Sequence, residues 1–193
     1  NPELANNIAD HDAVACERLQ AAGAVIFGKT NVPIHLADFQ SYNEVYGTTN
    51  NPFDHSKGSG GSSGGSAAAL AAGLTGLEIG SDIGGSIRNP AHFCGVFGHK
   101  PTHSLVWMKG HAALPSVRAM PDISVIGPMA RSAQDLRTAL NLLAGPNPIA
   151  ARGYKLNMPD LGLRKLSDLR IGIWRSAENF PVAKDVEARV DLV

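Results

Sequence analysis

Residues 58–101 read GSGGSSGGSAAALAAGLTGLEIGSDIGGSIRNPAHFCGVFGHKP and hold 12 of the 21 glycines of the 193-residue chain. The stretch begins like a flexible linker, but it continues into an Ala/Leu-rich helix predicted at 66–74 and an apolar strand predicted at 77–80. A second glycine turn, at 82–86, ends in a serine. We interpret both turns as shaped structures that bring backbone amides and serine hydroxyls together, as acyl-transfer sites require.

Helices are predicted elsewhere where an apolar stripe follows a capping residue. Asp12 is expected to cap a helix that ends at Gly23, and Ser132 with Asp135 forms a capping-box-like start for another. A short helical turn is predicted at 88–93 and a last helix at 182–193. The apolar stripes are Ala15, Leu19 and Ala22 in the first helix, and Leu136, Leu140 and Leu143 in the helix after Ser132.

Two further apolar segments, 24–28 and 169–174, predict strands because they show no polar alternation. Fully apolar strands that alternate with helices are typical of parallel sheets buried on both faces. We therefore expect an α/β fold in which a mixed, mostly parallel sheet is covered by helices on both faces.

The composition excludes some classes of function but does not identify an activity. At 44% hydrophobic residues the chain can bury a core of ordinary size, and 17 basic against 17 acidic residues give no electrostatic case for binding nucleic acid or an anionic membrane. Cys16 and Cys94 are too few for a disulfide framework and are interpreted as buried free thiols. No apolar run is long enough to span a membrane, so a soluble, cytoplasmic protein is expected, with homo-oligomerisation left open.

A serine hydroxyl is a weak nucleophile until a neighbouring group accepts its proton. None of the seven histidines stands in a recognisable serine-hydrolase arrangement, and His92, six residues after Ser86, is interpreted as a core or supporting residue. The histidines also lack the spacing of a zinc site.

The paired motifs GGSSGGSAAA (60–69) and GSDIGGSIRNPA (80–91), with Ser62 and Ser86 24 positions apart, resemble the amidase signature family of serine hydrolases. The resemblance implies the amidase signature fold and hydrolysis of a small-molecule carboxylic amide through an acyl-enzyme, without a metal or organic cofactor. Weaker similar segments flank this centre: AAGAVIFGKTN (21–31), YGTTNNPFD (46–54), FCGVFGHKPT (93–102) and IGPMARSAQDL (126–136).

The resemblance also implies roles for individual residues. Ser86 would be the nucleophile, and Ser62, which would follow a cis peptide bond from Gly61, would be the bridging serine of a Ser-Ser-Lys triad. Ser63 is expected to cap or support. Asp82 and Arg88 would form an ion pair that fixes the turn or, alternatively, would recognise a charged substrate. The implied oxyanion hole is made by the backbone N–H groups of Ile83, Gly84, Gly85 and Ser86.

The catalytic lysine of the family lies on an earlier apolar strand, for which this sequence shows no counterpart. Lys29 matches a family lysine that is not the base, so it is assigned a structural or pocket-edge role. We therefore expect residues 1–193 to form the central part of a single amidase signature domain, truncated at both ends, and to be inactive alone.

Two alternatives to a stand-alone amidase remain. One is the A-type subunit of glutamyl-tRNA amidotransferase, although the segment 107–122 lacks the pieces expected of it. The other is a non-catalytic scaffold or binding fragment. The apolar residues of segment 107–122 have two interpretations, as the lining of an acyl pocket or as part of the core. These residues are Trp107, Met108, Leu114 and Met120.

Overall fold

A computed structural model of the chain describes residues 2–111, 121–159, 162, 165–174 and 179–192. The chain divides into two compact units, 1–156 and 157–193. The smaller unit contains a 3-10 turn (Leu166–Asp168) and helix α5 (Lys184–Val190).

The larger unit carries the glycine-rich stretch. Its described helices are α1 (Val14–Ala21), α2 (Gly64–Ala71), α3 (Arg88–Phe93) and α4 (Ala133–Leu143), with 3-10 turns at Pro2–Leu4, Ile34–Leu36 and Ala150–Arg152. Its described strands are β1 (Tyr42–Asn43), β2 (Gly47–Thr48), β3 (Asn50–Asn51), β4 (Asp54–Gly58), β5 (Leu77–Asp82), β6 (Phe97–Gly98) and β7 (Val125–Ala130). The pairs β1–β2 and β3–β4 are short antiparallel ribbons.

The central sheet has the strand order β5-β7-β6, with β7 antiparallel to both neighbours. The β5–β7 register runs from Leu77 opposite Ala130 to Asp82 opposite Val125. All six residues of β7 are buried, as expected of a strand with a partner on each edge and helices on each face.

Two apolar clusters cover the two faces of this sheet. Ile126 and Met129 of β7 are three positions apart, so their side chains point to opposite faces. Ile126 packs with residues of α1 and α4, and Met129 packs with residues of α2 and α3. Helices therefore cover both faces, as predicted. The buried members are Ala15, Leu19, Val106, Met108, Ile126 and Leu143 in one cluster, and Ala67, Leu70, Ile87, Ala91, Cys94 and Met129 in the other.

The expected strands at 24–28 and 169–174 are wrong. Both segments are irregular and exposed: Val25 is 84% exposed and Trp174 is 86% exposed. A strand is stable only as part of a ladder, and neither segment belongs to one of the described sheets. The mostly parallel pairing expected from the sequence is not seen among the described residues. All strand pairings among the described residues are antiparallel.

The helix predictions are largely confirmed. The short helix at 88–93 has the predicted bounds, and Ser132 caps α4 by accepting a hydrogen bond from the Asp135 N–H at 3.1 Å. Asp12 does not cap α1; that position belongs to Ala13. The helix thus begins one residue later than expected, and its first N–H, that of Val14, donates to the backbone oxygen of Lys109 at 3.1 Å.

Candidate active site

The first serine turn, residues 59–65, leads from β4 into α2 and includes the first two residues of that helix; all of it is buried. Ser62 is 1% exposed, and the peptide bond between Gly61 and Ser62 is cis, the bond that the family resemblance implied. The glycines of this turn leave no room for side chains. A Cβ atom added at Gly61, Gly64 or Gly65 would lie closer than 3.0 Å to atoms of residues 30–41 or of Ser59.

The second serine turn joins β5 to α3. Ser86 is 6% exposed, whereas Ile83 and Gly84 are exposed to solvent. Gly85 has φ = +130°, a backbone conformation that side-chain-bearing residues rarely adopt. A Cβ atom added at Gly84 would meet no atom within 4 Å. Packing therefore does not account for glycine at position 84.

The two turns are joined directly through their backbones. The Ser63 N–H donates to the backbone oxygen of Ser86 at 3.0 Å, and the Gly61 N–H donates to Oδ1 of Asn89 at 3.2 Å. Ser62 and Ser86 are thereby held on adjoining segments. Among the hydrogen bonds of the described residues, none joins their two hydroxyl groups.

The Ser63 hydroxyl does not cap α2, which was one of the two roles expected of it. Its Oγ accepts from the Ser81 N–H at 3.3 Å and lies 3.4 Å from the Ser81 oxygen, so it attaches the first turn to β5. Ser66, the third residue of α2, instead hydrogen-bonds with the Thr30 hydroxyl at 2.8 Å. Both serines are thus committed to structural hydrogen bonds.

Asp82 and Arg88 form the ion pair that the sequence suggested. Nε and Nη2 of Arg88 lie 3.0 and 2.9 Å from the Asp82 carboxylate, which also accepts from the backbone N–H groups of Gly85, Ile87 and Arg88. Burial raises the pKa of Asp82, but the hydrogen bonds from Arg88 and the backbone outweigh burial and hold that pKa below its usual value. The carboxylate therefore stays ionised and fixes the curve of the second turn.

The same carboxylate changes the expected set of oxyanion donors. The Gly85 N–H donates to Oδ1 of Asp82 at 2.8 Å, so it is not free to receive an acyl oxygen in this structure. The backbone N–H groups of Ile83, Gly84 and Ser86 have no acceptor among the described residues. Sequence reasoning could not separate Gly85 from its neighbours, because the distinction depends on where one side chain folds back.

The thiol predictions are half confirmed. Cys94 is buried, its Sγ donates to the backbone oxygen of Ser59 at 3.4 Å, and burial raises its pKa to about 11. Cys16 is only half-buried. Neither cysteine is in a disulfide.

None of the other described candidate groups forms a hydrogen bond with Ser62 or Ser86. Lys29 and His92 are exposed, so the interpretation of His92 as a core residue is wrong; its ring lies edge-on to that of Phe93 at 6.0 Å. Met108 is buried in the core and Trp107 is half-buried, while Leu114 and Met120 lie outside the described residues. In the described part of the chain, no group of His, Cys, Asp or Glu is arranged to hold a metal ion, and no helix has the length and apolarity needed to cross a membrane.

Two side chains at the site were missed by sequence reasoning, Ser41 and Asn89. Both bind the backbone of the first turn, Ser41 from the segment before β1 and Asn89 from α3. Asn89 falls inside the quoted motif, but nothing in the motif shows which way its amide points. Ser41 carried no signal, since it stands more than twenty positions before the backbone amide that it binds.

The larger unit thus combines helices on both faces of a sheet with two serine turns that are hydrogen-bonded to each other. A family model described as Amidase matches residues 2–193. The chain belongs to this family, whose members carry the amidase signature.

Named relatives include both hydrolases and components of amidotransferases. The chain is 42% identical over 178 residues to the A-type subunit of the glutamyl-tRNA(Gln) amidotransferase of Deinococcus radiodurans, covering 90% of this chain and 36% of the relative. It is 41% identical over 176 residues to an amidase of Gibberella moniliformis, covering 90% and 33%. The chain thus spans about a third of the length of these curated relatives.

Solved structures agree with the fold. A bacterial aryl acylamidase of the amidase signature family superposes with a TM-score of 0.66 at 31% identity, over 72% of this chain and 28% of that one. A peptide amidase in complex with the inhibitor chymostatin gives a TM-score of 0.62 at 37% identity, over 72% and 28%. The fold is therefore an incomplete α/β amidase signature fold.

Proposed function

We propose that the complete protein hydrolyses a carboxylic amide to a carboxylate and ammonia or an amine. One observation carries the proposal: the backbones of the two serine turns are joined by a hydrogen bond of 3.0 Å between Ser63 and Ser86, and the serines of both turns are buried. The second turn also has backbone N–H groups with no acceptor among the described residues. A nucleophile next to such donors is the arrangement that stabilises a tetrahedral oxyanion. Family membership supports the same chemistry.

The proposed reaction runs through an acyl-enzyme. Ser86 Oγ attacks the amide carbonyl carbon, its proton passes through Ser62 to a basic lysine, and the carbonyl oxygen becomes an oxyanion facing the N–H groups of Ile83, Gly84 and Ser86. The C–N bond breaks when the leaving nitrogen receives the proton. Water then attacks the ester and releases the carboxylate and Ser86.

We further infer that Lys29 is not the lysine of the triad. Lys29 is exposed, whereas a lysine that acts as a base near neutral pH must be buried or have cationic neighbours to lower its pKa. We assign the base to a lysine outside residues 1–193 and expect the 193-residue chain alone to be inactive.

The second candidate is an ammonia-transferring amidotransferase subunit. The relative from Deinococcus radiodurans bears that description at 42% identity, which favours this possibility over other uses of the fold. Such a protein would hydrolyse glutamine and would need partner proteins. The third possibility, a non-catalytic scaffold, predicts an unreactive Ser86.

The test is a fluorophosphonate probe, which labels activated serines, applied to the full-length protein. We expect labelling that disappears in Ser86→Ala and persists in Ser56→Ala, a control on the exposed strand β4. Labelling that survives Ser86→Ala would overturn the assignment of the nucleophile. Glutamine hydrolysis that requires added partner proteins would favour the amidotransferase, and absence of any labelling would favour the scaffold.

A cytoplasmic location belongs to the same proposal. Its support is that Cys16 and Cys94 are both free, as is common where thiols are kept reduced. The balanced charge gives no support to a nucleic-acid or membrane partner.

A further inference from the structure

We propose that Ser41 is a positioning residue that sets the geometry of Ser62 through the backbone of the first turn, an inference that rests on the proposed function. Ser41 lies immediately before β1, in an irregular segment far from both serine motifs in sequence. It is 1% exposed, so water does not compete for its hydroxyl. A buried hydroxyl must find its partners within the protein.

The Ser41 hydroxyl binds the turn on both sides of Ser62. Its Oγ accepts a hydrogen bond from the Gly64 N–H at 2.9 Å, and it lies 3.1 Å from the backbone oxygen of Gly60 and 3.2 Å from that of Ser62. A hydroxyl has one donor and two acceptor positions. Ser41 therefore shares its proton between the two carbonyl groups while it accepts the Gly64 N–H.

This contact satisfies the first backbone amide of α2. Ser63 occupies the N-cap position of α2, yet its side chain makes no capping hydrogen bond, because that hydroxyl is bound to Ser81 of β5. Without Ser41, the Gly64 N–H at the start of α2 would have no acceptor in a closed site. The start of the helix, and with it the placement of Ser62, thus depends on a residue from another segment.

Packing makes the arrangement specific. A Cβ atom added at Gly64 would lie closer than 3.0 Å to the hydroxyl oxygens of Ser41 and Ser59, so the backbone of the turn packs directly against these two side chains. Ser59 is equally buried, but its hydroxyl makes only a 3.4 Å contact with the Gly60 oxygen. Ser59 is therefore the matched control: the same residue type and burial, without the hydrogen bond from Gly64.

The experiment measures the rate of Ser86 acylation by a fluorophosphonate in the full-length protein. We expect Ser41→Ala to lower this rate on the order of 100-fold, the loss produced by a misplacement of about 1 Å. Ser41→Thr, which keeps the hydroxyl, should restore most of the rate, and Ser59→Ala should leave it within about twofold of the parent.

A double-mutant cycle separates positioning from general destabilisation. If Ser41 acts through Ser62, then Ser41→Ala made in a Ser62→Ala background should change the residual rate by less than about twofold. The same large fold-loss in both backgrounds would overturn the proposal, and so would a parent-like rate in Ser41→Ala alone.

Hydrogen exchange keeps the two proposals distinguishable. Ser41→Ala should lower the protection of the Gly64 amide by about tenfold or more, while Ser59→Ala should not. If Ser86 were never labelled but the Gly64 amide lost protection, the proposed function would fail and the control of the turn by Ser41 would stand. Unchanged protection in Ser41→Ala would overturn the positioning role whatever the labelling shows.

Discussion

The two serine turns share the residues Gly-Gly-Ser but use their glycines for opposite purposes. In the first turn, an added Cβ at Gly64 or Gly65 would collide with neighbouring atoms. In the second turn, Gly84 is exposed, and an added Cβ would meet no protein atom within 4 Å. The first turn is therefore shaped by what the protein packs against it, and the second leaves space that a substrate can occupy.

The largest expected effect is on folding and comes from the first turn. Gly65→Ala would bring Cβ closer than 3.0 Å to the backbone of Asn31, which cannot move aside as a side chain could. We expect a loss of about 3 kcal/mol or more in the free energy of unfolding, at the upper end of overpacking costs. The measurement is the urea midpoint of the full-length protein. A midpoint equal to that of the parent would show that packing does not require glycine in the first turn, and the contrast with the second turn would be lost.

The second expected effect is on reactivity and comes from the second turn. Gly84→Ala should leave the urea midpoint nearly unchanged, since the methyl group meets no protein atom. It should slow acylation of Ser86 by about 100-fold, because the methyl group enters the space proposed for the acyl oxygen. Fluorophosphonate labelling kinetics measure this. Equal rates for parent and variant would remove Gly84 from the proposed oxyanion hole.

A smaller effect is expected from the ion pair that shapes the second turn. Asp82→Asn leaves Arg88 without its charged partner, but the guanidinium is 54% exposed and is partly screened by solvent. We expect a loss of about 1–2 kcal/mol, below the range for fully buried pairs. The exposed pair of Asp54 and Lys57 gives the control, since Asp54→Asn should cause no measurable change.

The pH dependence of the same variant sharpens this prediction. The pKa of Asp82 is lowered in the folded state, so its contribution to stability is complete above the ordinary value of 3.8 and is lost as the pH falls through the folded value. The stability difference between parent and Asp82→Asn should therefore stay constant around neutral pH and shrink in acid. A difference that vanished near neutral pH instead would contradict the assignment.

The smallest effect is expected at the thiol behind the first turn. Because burial raises the pKa of Cys94 to about 11, its thiolate is scarce in mildly alkaline solution and its alkylation by iodoacetamide should be very slow. The half-buried Cys16 should react first. Mass spectrometry of the modified peptides tests this order, and faster modification of Cys94 would show that the first turn opens in solution.

What the sequence could predict was local. The strand at 77–80, the helix at 88–93 and the cap at Ser132 depend on neighbours a few positions away, and the structure has all three. The resemblance placed Ser62 and Ser86 on turns that the structure brings together, while their catalytic roles stay predictions.

What the sequence could not predict depended on distant partners. The apolar segments 24–28 and 169–174 have strand-like composition, but a strand needs a neighbour that its own sequence does not contain. The Gly85 N–H is occupied because the Asp82 side chain folds back onto the turn. The part played by Ser41 follows only from three-dimensional proximity.

The pairing of β5 with β7 also has a kinetic consequence. Leu77 meets Ala130 and Asp82 meets Val125, so the ladder closes a loop, residues 83–124, that contains Ser86. Contacts so far apart in sequence form slowly, since chain entropy is lost before any pairing energy is gained. The Ser86 hydroxyl accordingly reaches its folded surroundings only once this long-range pairing has formed.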